Sequence, residues 1–339
     1  MRAPFPILDL RGDARTRGRA HGEACREMIA RHIDLWRETT ATQMGMPWRE
    51  IADRLLQGTG FAAAAQKWTP DLWVELQGIA AGAKQRFDDV LLLNLTDEQW
   101  WITNQKHAEA CTSFAYRDTE GRVWSGQNLD ISAWMDGLQV VLRYPLEQGG
   151  SAMVATLAGT LGMSGINSHG LSICCNTLLQ LPPTRRGLPC LFVIRGVLER
   201  PSLSDADMFL REIRHASGLH YLIADPHAWC GFECDAAGVR RVPGGADWYG
   251  HTNHPKQAPE SGSPISRSRL AAIEAALATG RAKAALSEAP LRRDGSSPDD
   301  PIGFTIFSGI WCNRTDATAR FCAGPPAPET YVEIACAAF

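Results

Sequence analysis

The chain has 339 residues, of which 45% are hydrophobic and 21% charged, and its formal net charge is -3. These values are typical of a globular protein with a large core. They exclude the strongly basic surface that binds nucleic acid or an anionic membrane, and no apolar run reaches the ~20 residues that span a bilayer. The first residues lack the apolar core of a signal peptide, so we expect a cytoplasmic protein whose thiols are reduced.

The ten cysteines do not form a convincing metal motif. Cys230 and Cys234 have a loosely zinc-like spacing, but no second pair follows at the distance of a zinc site. His251 and His254 have no acidic or histidine neighbour in the sequence that would complete a site. We therefore expect no metal.

Residues 1–109 are predicted to be mostly helical. From Ala14 to Glu38, apolar side chains recur at the spacing of one helix face. Pro70 predicts the first turn of a later helix, because proline is well tolerated there. A further helix is predicted after Asp88 or Asp89, either of which could be its N-cap, and it is predicted to include Val90 to Leu93, Leu95, Trp100 and Trp101.

The pattern changes to strands and turns at Cys111. The predicted strands of this part are Ser113 to Arg117, Val123 to Gln127, Gln139 to Tyr144, Met153 to Leu157, Gly162 to Asn167 and Leu171 to Asn176. Helices are then predicted from Pro189 to Leu198, Ser204 to His215 and Ile265 to Leu277, with further strands between them and at the end of the chain. This order favours an α+β fold in which two sheets lie between helix layers, an αββα four-layer sandwich with a helical N-terminal segment.

Cys111 is the candidate nucleophile among the cysteines. It lies where helices give way to strands, and its neighbours Ala110, Thr112 and Ser113 are small. Asp130 ends the next predicted strand. Because a hairpin returns the chain to its starting point, we expect Asp130 to lie beside Cys111.

Five motifs in this order carry a family resemblance. They are ACTSF (110–114), GQNLD (126–130), GMSGINSHGLSICCN (162–176), GLPCLFVIR (187–195) and HTNHP (251–255). The sequence resembles the acyl-coenzyme A:6-aminopenicillanic acid acyltransferase family of N-terminal-nucleophile hydrolases. It is more distantly similar to the penicillin V acylase and bile salt hydrolase group.

The resemblance implies a self-processing enzyme. Cleavage between Ala110 and Cys111 would produce a helical fragment, residues 1–110, and a catalytic core, residues 111–339, which would stay associated as partners. Cys111 would be the nucleophile, Asp130 would orient or charge its α-amine, and Asn253 would donate its amide to the oxyanion. The family usually has Gly before the nucleophile, and this chain has Ala110. Gln127 stands where the bile salt hydrolase group has Arg, which favours the acyltransferase family.

The chemistry agrees with these roles. A free thiol is only a few per cent ionised at neutral pH and needs a base, and an α-amine has an ordinary pKa of about 7.7–8. A backbone N–H near Asn176 or Thr177 is a second candidate oxyanion donor. Arg195 or Arg269 could bind a substrate carboxylate. No metal or organic cofactor is required, since coenzyme A would enter only within a thioester substrate.

Other interpretations remain open. Asp130 could cap a helix over Ile131 to Met135, Asn253 could be a turn residue before Pro255, and Cys111 could be an inert buried thiol. The enzyme could be a penicillin V acylase-like amidase, or the chain could be an unprocessed, non-catalytic binding protein. The substrate would be a small-molecule amide or acyl thioester. Neither the acyl group, the choice between water and an amine as acceptor, nor the oligomeric state is indicated.

Overall fold

A computed structural model describes residues 5–99, 110–242, 244–296, 303–315 and 317–336. Within these ranges the α-helices are α1 Ala14–Ala24, α2 Arg26–Met44, α3 Trp48–Leu56, α4 Phe61–Trp68, α5 Pro70–Ala83, α6 Phe87–Leu93, α7 Cys190–Leu198, α8 Leu203–Glu212, α9 Pro264–Ala278 and α10 Ala282–Ala285. No helix in this part of the chain is long and apolar enough to cross a membrane.

The strands of the described residues form two sheets. They are β1 Ile7–Asp9, β2 Ala110–Arg117, β3 Val123–Ile131, β4 Gln139–Pro145, β5 Ser151–Leu157, β6 Ser164–Asn167, β7 Ser172–Thr177, β8 Leu219–Ala224, β9 Trp229–Asp235, β10 Gly238–Val242, β11 Trp248–His251, β12 Phe304–Asn313, β13 Thr318–Ala323 and β14 Val332–Ala335. Sheet A has the order β1-β4-β5-β6-β7-β8-β9-β10, and sheet B has the order β11-β2-β3-β12-β13-β14. Neighbouring strands are antiparallel, except that β1 runs parallel to β4.

The two sheets pack face to face between helices. Ser113 Oγ of β2 donates to Asn176 Oδ1 of β7 at 2.7 Å, across the space between the sheets. Helices α7 and α8 contact sheet A, and α9 contacts β2 and β11 of sheet B. The predicted αββα sandwich is therefore confirmed. The predicted hairpin of β6 and β7 is also present.

Helices α1 and α5 cross with almost no space between their backbones. A Cβ atom added to Gly18 of α1 would lie 1.9 Å from the carbonyl oxygen of Glu75. One added to Gly82 of α5 would lie 2.2 Å from the carbonyl oxygen of Arg19. Since real Cβ atoms do not approach a backbone oxygen so closely, this crossing depends on glycine at both positions.

A buried ion pair joins these N-terminal helices to the rest of the fold. Both guanidinium nitrogens Nη1 and Nη2 of Arg195, on α7, donate to the carboxylate of Glu75, on α5, at 3.0 Å. Arg17 of α1 donates to the same carboxylate at 3.3 Å. Arg195 is 0% exposed and Glu75 is 1% exposed in their side chains, so this is a fully desolvated interaction.

Three of the predicted helices have different boundaries in the structure. The helix predicted from Ala14 to Glu38 is two helices, because Cys25 leaves the helical conformation and ends α1. Helix α6 begins at Phe87, before the predicted caps Asp88 and Asp89, and it ends at Leu93, before Leu95, while Trp100 and Trp101 lie outside the described residues. Helix α8 begins earlier than predicted, since Ser202 is in extended conformation and its side chain accepts the N–H of Asp205.

Candidate active site

The hairpin of β2 and β3 places Cys111 and Asp130 on neighbouring strands. Cys111 pairs with Leu129, and Ala110 pairs with Asp130. Side chains alternate along a strand and paired residues face the same way. The Cys111 side chain therefore faces the same side of sheet B as Leu129, and the Asp130 side chain faces the other. The backbone nitrogen of Cys111 lies between these two register positions.

Cys111 lines a small cleft where the sheets meet α7. The cleft has a cavity volume of about 50 Å³, and Cys111 is 3% exposed. Its wall contains five apolar side chains, two further thiols and three polar residues. These are Leu129, Ile131, Met163, Leu191, Ile194, Cys175, Cys190, Thr96, Asp97 and Thr177. A thiol in a mostly apolar cleft is suited to binding an acyl group.

Two side chains hold the backbone of Cys111. Its N–H donates to Asn253 Oδ1 at 2.7 Å. Arg269 Nη1 donates to its carbonyl oxygen at 2.7 Å, and Arg269 Nη2 donates to Asn253 Oδ1 at 3.0 Å. A cation and an amide are therefore in direct contact with the residue proposed to become an N-terminus.

Asn253 reaches Cys111 because β11 pairs with β2. His251 is opposite Ser113, so the chain that leaves β11 runs past Cys111. Asn253 N donates to Ser266 Oγ at 3.0 Å, and Asn253 Nδ2 donates to the carbonyl oxygen of Thr177 at 3.1 Å. The Asn253 side chain thus bridges β2 and β7, a position beyond that of a simple turn residue.

Asp130 lies inside β3, so the alternative that it caps a helix over Ile131 to Met135 is wrong. Thr305 Oγ1 donates to Asp130 Oδ1 at 2.7 Å, and Arg293 Nη1 is 3.5 Å from Oδ2. Burial raises the pKa of Asp130, while the positive charges of Arg293 and Arg269 oppose the rise. The carboxyl is therefore held among cations on the α9 side of sheet B.

The two candidate oxyanion positions differ in their surroundings. Asn176 Oδ1 accepts hydrogen bonds from Ser113 Oγ and from His220 Nδ1, between the sheets. Because Asn176 Oδ1 can only accept, His220 carries its proton on Nδ1. Its Nε2 is then an acceptor for the Tyr249 hydroxyl, which lies 2.8 Å away. Thr177 instead lines the cleft of Cys111. Of the two, only Thr177 is at the cleft.

The two candidate substrate-binding arginines have different partners in the structure. The guanidinium of Arg195 is engaged with Glu75, with the carbonyl oxygen of Leu161 at 2.9 Å and with the Tyr144 ring. Its fork is thus used inside the protein and does not line the Cys111 cleft. Arg269, by contrast, contacts Cys111 itself. The structure brings together Cys111, Asn253 and Arg269, with Asp130 on the adjacent strand.

Sequence reasoning missed Asp97. Its Oδ1 accepts a hydrogen bond from Thr177 Oγ1 at 2.7 Å, and it lines the Cys111 cleft. Burial raises its pKa to about 6. Asp97 lies in an acidic pair after a helix, and no periodicity or motif in the sequence distinguishes it from a surface carboxylate.

Comparison with known proteins identifies the family. The model of the family described as acyl-coenzyme A:6-aminopenicillanic acid acyl-transferase matches residues 117–291, more than half of the chain. The chain belongs to this family. The matched span begins after Cys111 and includes Asp130, Asn253 and Arg269. Membership places the chain in a family of acyl-transferring enzymes, as the sequence motifs predicted.

One curated relative is the 40 kDa form of acyl-coenzyme A:6-aminopenicillanic-acid-acyltransferase from Emericella nidulans. It is 28% identical over 252 residues, which are 70% of this chain and 66% of the relative. The match therefore spans just under two thirds of that protein's length.

Solved structures support the fold. A variant of conjugated bile acid hydrolase from Clostridium perfringens superposes with a TM-score of 0.53 at 13% identity, covering 66% of this chain and 92% of that one. A second variant of the same hydrolase gives a TM-score of 0.52 at 11% identity, with the same coverage. At this level of identity the likeness concerns the fold alone, and it agrees with the αββα sandwich.

Proposed function

We propose that the protein is an acyltransferase or amide hydrolase that acts through an acyl-S-Cys111 intermediate after self-cleavage before Cys111. The observation that most supports this proposal is the set of contacts that Cys111 makes. Cys111 presents its thiol to an apolar cleft, its N–H to Asn253 and its carbonyl oxygen to Arg269. A structural cysteine in a core would not require a buried amide and a buried cation on its backbone.

Self-cleavage would begin with attack of Cys111 Sγ on the carbonyl carbon of Ala110. The C–S bond forms, the C–N bond to Cys111 breaks, and the nitrogen gains a proton to become an amine. Water then hydrolyses the resulting thioester and frees the thiol. Asn253 Oδ1 already accepts the N–H of the bond that breaks, at 2.7 Å, and would continue to hold the amine that replaces it.

In the mature enzyme the α-amine of Cys111 would be the general base. It must be uncharged to accept the thiol proton. The positive charge of Arg269 beside Cys111 disfavours the ammonium form, and the negative charge of Asp130 favours it. These opposing charges would keep the pKa of the amine near neutrality, where a base is most effective.

The oxyanion of the tetrahedral intermediate would be stabilised by donors already in place. Asn253 Nδ2 uses one of its two hydrogens on the carbonyl oxygen of Thr177, which leaves the second for the substrate. Because the side-chain amide is held by Cys111 of β2, Thr177 of β7 and Arg269 of α9, it would not need to reorganise during the reaction.

The N-terminal fragment would remain bound after cleavage. It contains Glu75, whose partner Arg195 belongs to the catalytic core. It also contains Thr96 and Asp97, which line the Cys111 cleft. Loss of the fragment would open the cleft and leave the charge of Arg195 unpaired.

Intact-mass analysis tests the proposal. We expect two co-purifying chains, residues 1–110 and 111–339, and a single full-length mass for Cys111→Ala. Incubation of the processed protein with an acyl thioester, quenched in acid, should add the acyl mass to the 111–339 chain only. A full-length mass in fresh and aged wild-type protein, with no acyl adduct, would instead support the non-catalytic binding protein. A phenoxyacetyl amide as the preferred donor over acyl-coenzyme A thioesters would favour the penicillin V acylase-like amidase.

A further inference from the structure

Asp97 is a charged group in a cleft that is otherwise apolar, thiol or hydroxyl. It belongs to the N-terminal segment, it is 8% exposed, and its carboxyl lies beside Thr96 and Thr177. Among the described residues of the lining it is the sole carboxylate, and none is a cation. An isolated buried carboxylate is costly unless a donor meets it.

One oxygen of Asp97 has its donor and the other does not. Oδ1 accepts the hydroxyl of Thr177 at 2.7 Å. Oδ2 is buried and accepts no hydrogen bond from the part of the chain that the structure describes. The nearby Ser217 hydroxyl donates to Glu98 Oε1 at 3.0 Å, although it is close enough to Asp97 to oppose the rise of its pKa. A buried acceptor without a hydrogen bond destabilises the site, and a donor on a ligand would remove this cost.

The titratable groups that surround Asp97 also have raised pKa values. Burial raises its pKa to about 6. Burial and the charge of Asp97 raise the pKa of Glu98 to about 8. The pKa of the Cys190 thiol is raised well above its ordinary value by its hydrogen bond with Cys175 and by burial, and that of Tyr221 is raised by burial. Of these groups Asp97 is the carboxyl that lines the cleft, so it is the group through which the cleft gains negative charge as the pH rises.

Asp97 is connected to the reacting end of the cleft. The hydroxyl of Thr177 binds Asp97, and its carbonyl oxygen accepts a hydrogen bond from Asn253 Nδ2. Asn253 in turn accepts the N–H of Cys111. A chain of three hydrogen bonds thus links the Asp97 carboxylate to Cys111, where the acceptor of the acyl group must approach.

We propose that Asp97 binds the amine nitrogen of the acyl acceptor and makes the enzyme prefer an amine to water. The inference rests on the proposed acyl-S-Cys111 intermediate. The acceptor binds as an ammonium ion on Asp97 and gives one proton to the α-amine of Cys111. Its nitrogen then forms a C–N bond with the thioester carbon, the C–S bond breaks, and the second proton passes from nitrogen to the Cys111 thiolate.

The test compares acceptors on one donor. A short-chain acyl thioester is supplied with a primary amine or with the alcohol of the same carbon skeleton. Thiol release, amide, ester and free acid are measured. Wild-type protein should form amide in preference to ester and acid. Asp97→Asn should lower the amide-to-acid ratio at least about tenfold, the lower limit for a hydrogen bond to a charged group. The matched control is Asp88→Asn, an exposed carboxylate of the same segment, which should change neither the ratio nor thiol release.

A second measurement does not depend on the variant folding. In wild-type protein the preference for amine over alcohol should decline as the pH falls through about 6, because Asp97 becomes protonated. Both acceptors share the α-amine of Cys111, so its titration cancels in the ratio. The role of Asp97 is overturned if the amine preference is constant from pH 5 to 8, or if it is unchanged in a folded Asp97→Asn variant. Normal thiol release in the same experiments would leave the proposed function intact. No thiol release from wild-type protein overturns both.

Discussion

The buried pair of Glu75 and Arg195 gives the most quantitative prediction of the structure. Its side chains are 1% and 0% exposed, and both of its hydrogen bonds are 3.0 Å long. Glu75→Gln keeps the shape but removes the charge, and it turns an N–H₂ group toward a guanidinium that can only donate. Breaking a buried pair on one side typically costs about 3–5 kcal/mol, and we expect that loss here.

The measurement is urea unfolding followed by tryptophan fluorescence, in a Cys111→Ala background that keeps the chain in one piece. The matched control is Glu50→Gln, because Glu50 pairs with Arg54 at 2.6 Å but the two side chains are 50% and 45% exposed. That variant should change the free energy of unfolding by less than about 1 kcal/mol. The triple variant Arg17→Met, Glu75→Leu, Arg195→Met should recover most of the loss, since it removes all three charges of the buried cluster.

Lowering the pH should also weaken the Glu75–Arg195 pair and destabilise the protein. Burial alone would raise the pKa of Glu75, but Arg195 and Arg17 outweigh it, and the folded-state pKa is lowered. The pair therefore contributes its full stability above the ordinary Glu pKa of about 4.5, and this contribution is lost as the pH falls through the lower folded-state value. Wild-type protein should lose more stability over that range than Glu75→Gln does. If Glu75→Gln and Glu50→Gln changed the free energy of unfolding by equal, small amounts, the argument from burial would be refuted. A raised KM with unchanged stability in Arg195→Met would restore Arg195 as a substrate-binding residue.

Three further predictions concern the site and the helix crossing. Asn253→Ala should lower turnover by about 10²–10³-fold and slow self-cleavage, since both reactions pass through a tetrahedral oxyanion. Near-normal turnover in a folded variant would remove Asn253 from the mechanism. Asp130→Asn should lower the pKa of the Cys111 amine, so the limb of the pH–rate profile that reports this base should move to lower pH. An unchanged profile together with an unchanged rate of Cys111 alkylation by iodoacetamide would show that Asp130 has no such role. Gly18→Ala should destabilise the protein by about 1–3 kcal/mol, because its Cβ would meet the Glu75 carbonyl oxygen at 1.9 Å, while Gly45→Ala, at an open helix end, tests the cost of losing glycine without a clash.

The sequence by itself determined the local units of this protein. Pro70 marked the start of α5, and turn residues between alternating strands marked the hairpin of β6 and β7. The neighbouring strands of Cys111 and Asp130 were likewise predictable, because an antiparallel hairpin returns the chain to its start within one local connection. The ordered motifs added the family and the αββα sandwich.

Only the tertiary structure decided which distant side chains meet Cys111. Asn253 is 142 residues further along the chain, and it arrives because β11 joins the edge of sheet B beside β2. The two arginines looked alike in the sequence, yet Arg269 contacts Cys111 and Arg195 is neutralised by Glu75. Asp97 gave no local signal at all. The physical reason is that periodicity and turns act over a few residues, whereas the partner of a buried charge is set by how sheets and helices pack across the whole fold.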